Sequence, residues 1–281
     1  SDQRADGSEY QGTDNGDHYC LSQHPDQLCR LQIQTEQKQQ KYPVHLKFNT
    51  GLNRLGFREA DLPWIGGQLS EATEVRSLFS HLAASDDLQE QDYTHGQIRA
   101  FEKILQKSAS HLGKSPFKHL LNTSGVFNYP EAQYDMVRTG IGLYGYSNDP
   151  KTDRLLRPVA RLRTRISQIH HIQPGQWVGY NKGYQAGTPL QTATLPIGHA
   201  DGIGRHFGKG RGVVFIQEKP APIIGNVCMD MTMIDISGIE CQEGDEVIFF
   251  GEGHSAETLA GRGGTISYEL LTGISRRVPR I

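Results

Sequence analysis

The feature that most constrains this chain is a change of pattern at Arg157-Pro158. Upstream, from Pro43, short apolar runs alternate with amphipathic stretches. A strand is expected over 44–48, a helix near Glu59 to Leu69, and a strand near Val75 to Leu82. A longer helix follows with Ile98, Phe101, Ile104 and Leu105 on one face, then strands over Phe117 to Leu121 and Asp135 to Val137. That order is the signature of βα units around a parallel sheet. Downstream, Ala160, Leu162, Thr164 and Ile166 alternate with Arg161, Arg163, Arg165 and Ser167, as in a strand with one buried and one wet face. Further strands are expected near 191–197, 211–217, 221–224, 231–236 and 245–250, with a closing helix near Ile266 to Ile274. The expected fold class is α/β plus all-β.

Eight βα units close into a barrel of roughly 250 residues, about 30 per unit. Residues 41–156 supply about half of that, so they are read as the second half of a (β/α)8 TIM-type barrel, and residues 157–281 as a β domain. Residues 1–40 carry only nine hydrophobic-class residues and no sustained period. They form an atypical polar segment, expected to lack regular structure before about Leu31, where a short helix could lead into Tyr42-Pro43.

With 29 basic and 31 acidic residues the net charge is −2, which gives no electrostatic footprint for nucleic acid or an anionic membrane. A small-molecule partner is the better expectation. Cys20, Cys29, Cys228 and Cys241 form neither a dense disulfide framework nor a metal-ligand spacing. No run approaches a membrane span and no signal pattern opens the sequence. A cytoplasmic protein without a metal site is expected.

Several segments could carry chemistry. The run Val44 to Phe48 leads into Asn49-Thr50-Gly51-Leu52-Asn53-Arg54-Leu55-Gly56-Phe57, placing a permanent cation past a strand's carboxyl end, where α/β barrels keep their sites. Read alone, such an arginine is usually a surface residue. Asn122-Thr123-Ser124-Gly125 offers hydroxyls and backbone N–H groups, and Gly140-Ile141-Gly142 a bare backbone; both suit a phosphate, and both also read as ordinary turns. Arg138 follows a strand, His81 lies in Phe79-Ser80-His81-Leu82-Ala83, and Met229 and Tyr180 sit among β-domain strands; core packing is the standing alternative for the last three.

Taken in order, these motifs resemble the bacterial alanine racemases, pyridoxal 5'-phosphate enzymes with an amino-terminal (β/α)8 barrel and a carboxyl-terminal β domain. The resemblance runs from about Tyr42 to Ile281. It rests further on Trp177-Val178-Gly179-Tyr180-Asn181-Lys182-Gly183-Tyr184, on Pro196-Ile197-Gly198-His199-Ala200-Asp201-Gly202, on Gly225-Asn226-Val227-Cys228-Met229-Asp230-Met231 and on Arg277-Val278-Pro279-Arg280-Ile281. It implies interconversion of L- and D-alanine, supplying D-alanine for peptidoglycan. Tyr180 then matches the base acting on the L-enantiomer, and Arg54 and Met229 face substrate. Arg138 matches the partner of the pyridine nitrogen, His81 lies against the ring, and Thr123, Gly140, Ile141 and Tyr268 contact the phosphate. Thr123 stands where serine is usual. Lys47 matches a lysine carbamylated in many relatives, but Asn49 replaces the usual aspartate nearby, which leaves the carbamate open. His199 stands where a tyrosine is common, so its role is not assigned. The resemblance also implies a homodimer whose active sites are shared between subunits.

One family pattern has no counterpart here. The Schiff-base lysine lies in Lys-Ala-Asn-Ala-Tyr-Gly, and that pattern does not occur in the 281 residues. That absence leaves a catalytically inactive racemase fragment as one alternative to alanine racemisation; a racemase of the same fold for another amino acid is a second, since sequence does not give the size of the substrate pocket.

Overall fold

A computed structural model describes residues 19–21, 42–69, 73–112, 116–147 and 149–281. The chain divides into two compact units, Ser1–Gly140 and Ile141–Ile281.

The first unit holds a four-stranded, all-parallel sheet in the order β1 (Tyr19–Leu21), β2 (Tyr42–Lys47), β3 (Thr73–Phe79), β4 (Phe117–His119). Helix α1 (Leu62–Gln68) connects β2 to β3, and α2 (Gln91–Leu112) connects β3 to β4. The strand-helix-strand order is the βα repeat that the sequence implied. Period-2 geometry sorts the side chains of β2. Val44, Leu46 and Phe48 are fully buried against Leu62 and Ile65 of α1 and Ile104 of α2, while His45 and Lys47 belong to the opposite face. Ile98, Phe101 and Ile104 form the buried stripe of α2. Leu120 and Leu121 join Ile98 and Phe101 in an adjoining cluster.

The structure departs from the expected elements at identifiable places. The strand expected over 135–137 is a single parallel bridge between Met136 and His119. Asn122 to Gly125, expected as a loop, opens a helix, α3 (Thr123–Asn128), because the Asn122 side chain caps it by accepting from the Gly125 N–H at 2.9 Å. Within the polar segment 1–40, residues 19–21 pair with β2, adding a strand where none was expected. The helix expected after Leu31 falls outside the described residues.

The second unit opens with a 3-10 turn over Ile141–Tyr144 and a short helix, α4 (Pro150–Asp153), followed by strands β5 (Leu162–Arg165) and β6 (Gln168–Ile172). A two-stranded ribbon, β7 (Trp177–Val178) with β8 (Tyr184–Gln185), precedes β9 (Leu190–Leu195), β10 (Val213–Ile216), β11 (Lys219–Ile224), β12 (Thr232–Asp235) and β13 (Glu246–Phe250). The main sheet is antiparallel in the order β5-β13-β10-β11-β12-β9-β6. Its two edge strands are consecutive in the chain, separated by Ile166 and Ser167 alone. Three peptide steps reach about 11 Å at most, so the sheet must curl until its edges nearly meet. The long alternating strand expected from Ala160 is thus bent into β5 and β6, with Ser167 N–H already bonded to Thr194 of β9.

Inside the curl lie Ile166, Leu195, Val214, Ile216, Ile223, Ile234 and Phe249, together with Ile141 and Tyr146. Those last two explain why the division falls at Gly140, ahead of Arg157-Pro158: the linker contributes to the β core. Helices α5 (Ala256–Gly263) and α6 (Ser267–Gly273) close the unit. Among the described residues no helix is long and apolar enough to cross a membrane, and no cluster of three metal-ligating side chains occurs.

Candidate active site

In the first unit, the sheet face opposite the helices carries a polar cluster built around the ring of Phe79. His119 stacks on it at 4.8 Å between centroids, nearly parallel. The Arg138 guanidinium carbon lies 5.1 Å and the Lys47 Nζ 5.9 Å from its centroid. One Arg138 nitrogen donates to His119 Nδ1. The other donates to the Ser80 carbonyl at 2.7 Å, the Leu120 carbonyl at 3.3 Å and His81 Nδ1 at 3.2 Å. A guanidinium only donates, so both imidazoles accept and are uncharged. Their acidities agree: burial first, then Arg138, Arg54 and Lys47, push His81 down to about 4, while burial, Arg138 and His45 push His119 down to about 4. Three cationic side chains around an uncharged His81 favour an anionic guest.

The loop that carries Arg54 is fixed by Asn49. Its Oδ1 accepts from the Gly51 and Asn53 N–H groups, each at 3.0 Å, and its Nδ2 donates to Asn53 Oδ1 at 2.9 Å. An aspartate could not make the last bond. Asn53 sits in the left-handed region, the Tyr93 hydroxyl donates to the Gly51 carbonyl at 2.9 Å, and Arg54 is exposed at the tip. Thr123 is buried, and its hydroxyl accepts from the Gly140 N–H at 3.1 Å, which joins the two segments read as phosphate-binding.

In the second unit, Tyr180 is 74% exposed on the ribbon between β7 and β8, and its carbonyl accepts from Asn226 Nδ2 at 2.9 Å. Asn181 and Lys182 are left-handed, a tight turn that lifts the phenol away from the core. Met229 is 61% exposed. The two signature loops pack backbone to backbone: His199 N–H donates to the Cys228 carbonyl at 2.9 Å and Ala200 N–H to the Met229 carbonyl at 3.0 Å. Buried Asp201 accepts from the Gly198 N–H at 3.0 Å and pairs with Arg277, which also pairs with Asp230 at 3.0 Å. Ile141 is buried in the β core, and Tyr268 packs half-buried on the same core.

A Cβ on Gly198 would lie 2.4 Å from the carbonyl oxygens of Cys228 and Met229. Gly198→Ala should therefore push the two loops apart and cost about 1–3 kcal/mol, read as a lower urea midpoint; an unchanged midpoint would refute the tight loop packing.

Ser77 and His119 lie outside every motif, while His45, Asn122 and Arg277 lie inside motifs that assigned them no role. The signal for His45 and Ser77 was strand parity: His45 shares a face with Lys47, and Ser77 with Phe79, whereas His119 joins them only through strand register. Arg277 stood in the closing family-like segment, but its pairing with Asp201 and Asp230 had no local signal, since those partners are distant in sequence.

The family model for the amino-terminal domain of alanine racemase matches residues 6–148, and that for its carboxyl-terminal domain matches residues 159–281. The chain belongs to the alanine racemase family. The match from residue 6 extends the family likeness upstream of Tyr42, through a segment whose scarcity of apolar residues had hidden it. Alanine racemase 2 of Caldanaerobacter subterraneus subsp. tengcongensis is 37% identical over 254 residues, covering 87% of this chain and 65% of the relative. The solved alanine racemase of Streptomyces coelicolor A3(2) superposes with a TM-score of 0.87 at 28% identity, covering 94% of this chain and 72% of that one. That of Bartonella henselae, solved with covalently bound pyridoxal phosphate, gives 0.79 at 27% identity, covering 91% and 70%. The chain spans 64–68% of the length of the curated relatives it matches. The family fold is a barrel domain followed by a mainly β domain, and both parts are present here.

Proposed function

We propose that this chain belongs to a cytoplasmic alanine racemase, a pyridoxal phosphate enzyme that interconverts L- and D-alanine and supplies D-alanine for peptidoglycan. Its working form is a homodimer with shared active sites, built from a barrel half over 41–156 and a β domain over 157–281. The observation that carries the reading is Arg138, held by uncharged acceptors beside the uncharged ring of His81.

The residues present fit the non-covalent part of the cofactor. Arg138 would meet the ring nitrogen and His81 the ring, while Thr123, Gly140, Ile141 and Tyr268 would hold the phosphate. When bound, pyridoxal phosphate supplies an electron sink that acidifies the α-C–H bond of an amino acid. Arg138 binds without handing over a proton, because a guanidinium stays charged throughout the working pH range. That keeps the sink weak and favours return of a proton to the α-carbon over loss of the amino group. Arg54 holds the substrate carboxylate, Met229 shapes the substrate pocket, and the Tyr180 oxygen takes the α-proton of L-alanine. A carbamate on Lys47 would be anionic and would hold the Arg54 guanidinium; without it Lys47 is a further cation facing the anionic guest.

The missing Lys-Ala-Asn-Ala-Tyr-Gly pattern favours a second reading for the 281 residues by themselves, an inactive fragment. Both readings are separated by adding pyridoxal phosphate and L-alanine to the purified chain, with and without a family segment that carries the lysine. D-alanine should form only with the segment. Production of D-alanine without it would reject the need for that lysine, and none in either case would reject the racemase reading.

A further inference from the structure

Three side chains on one face of the parallel sheet connect to Arg138 in series. Strand register sets His45 beside Ser77 and His119 beside Phe79. Ser77 Oγ lies 2.8 Å from His119 Nε2 and 2.6 Å from His45 Nδ1, and Arg138 donates to His119 Nδ1. Ser77 is 1% exposed and His119 4%, so these polar atoms must satisfy one another.

Donor chemistry gives the series a direction. Because the guanidinium can only donate, His119 Nδ1 accepts; the uncharged ring then carries its hydrogen on Nε2 and donates to Ser77 Oγ. The serine has one proton of its own, and the pairing is complete when that proton goes to His45 Nδ1. An imidazolium at position 119 would instead face an N–H with an N–H.

We propose that His119, Ser77 and His45 are positioning residues, a one-way hydrogen-bond chain that aims the Arg138 guanidinium and holds both histidines as uncharged Nε2–H tautomers. Its value for catalysis rests on reading Arg138 as the partner of the cofactor's ring nitrogen. The acceptors His119, His81, Ser80 and Leu120 carry no charge, so these four contacts orient the guanidinium through donor–acceptor geometry. The arginine is fixed as a donor and stays a full cation.

The test is nitrogen NMR of the full chain labelled at histidine, free of cofactor, at neutral pH. The expected result is His119 and His45 each protonated at Nε2 alone. In Ser77→Ala the His45 ratio of Nε2–H to Nδ1–H should fall about fivefold, the bias that one neutral hydrogen bond sustains, and Ser77→Thr, which keeps the hydroxyl, should restore it. An Nδ1–H or doubly protonated His119, an Nδ1–H His45, or ring shifts unchanged by Ser77→Ala would overturn the proposal. Should Ser77→Ala fail to fold, the parent tautomers and Ser77→Thr decide it. Added pyridoxal phosphate should then shift the His81 and His119 signals; if it does not, the cofactor reading fails while the hydrogen-bond chain stands.

Discussion

Tyr180→Phe, made in a racemase completed with the lysine-bearing segment, should slow removal of the α-proton from L-alanine by roughly 10²–10⁴-fold, the range that one positioned acid–base group contributes. The argument starts from exposure. A phenol that is 74% accessible on a ribbon between two short strands loses no packed contact when its hydroxyl is removed. Its backbone, tied to Asn226 through the carbonyl, does not depend on the hydroxyl either. The substitution should therefore leave stability within about 0.5 kcal/mol, so a rate loss reports chemistry rather than unfolding. Exchange of the α-hydrogen of L-alanine in deuterated water measures the step. An undiminished exchange rate would remove Tyr180 from the reaction.

The second large effect is on stability at mild acid. His81 and His119 take a proton only near pH 4 in the folded chain, against about 6.5 when unfolded. Between those values the unfolded chain binds more protons, so the contribution of these rings is complete above pH 6.5 and is lost as pH falls toward 4. For buried His119 that contribution is on the order of 3 kcal/mol, at about 1.4 kcal/mol per pH unit; half-buried His81 adds less, since water screens it. An opposite trend comes from Glu257, raised to about 7 by its hydrogen bond with Asp153 and by burial; that penalty is relieved as pH falls from 7 to 4.5. The discriminating quantity is therefore a difference. His119→Gln, which keeps an acceptor for Arg138, should flatten the loss seen in the parent between pH 6.5 and 4.5 in urea unfolding. Parallel pH profiles for the two chains would contradict a neutral, proton-resistant His119.

What was legible in the sequence follows from the range of each interaction. Alternation of Val44, Leu46 and Phe48, and the spacing of Ile98, Phe101 and Ile104, record burial on one face, so strands and helices were readable there. The bend at Ile166-Ser167 was not, because nothing local distinguishes a strand that switches sheet edges from one that continues; only closure of the sheet requires it. Asn122 was read as part of a turn because an N-cap and a turn use the same residue types. The site divides in the same way. Lys47, Arg54, His81, Arg138, Thr123 and Gly140 stood out through family-like motifs, and the structure brings them onto one unit. The groups that orient them, His119 and Ser77, belong to no motif and become visible only when neighbouring strands are in register.

The central claim is that the phenol of one protomer serves the cofactor pocket of its partner. The most direct measurement mixes two inactive chains, each completed with the lysine-bearing segment: one Tyr180→Phe and the other Arg138→Ala. Random pairing makes half of the dimers mixed, and each mixed dimer keeps one intact site of two, so racemisation should return to roughly a quarter of the parental rate. If the mixture stays as inactive as either variant alone while mixed dimers demonstrably form, the sharing of sites between subunits is wrong.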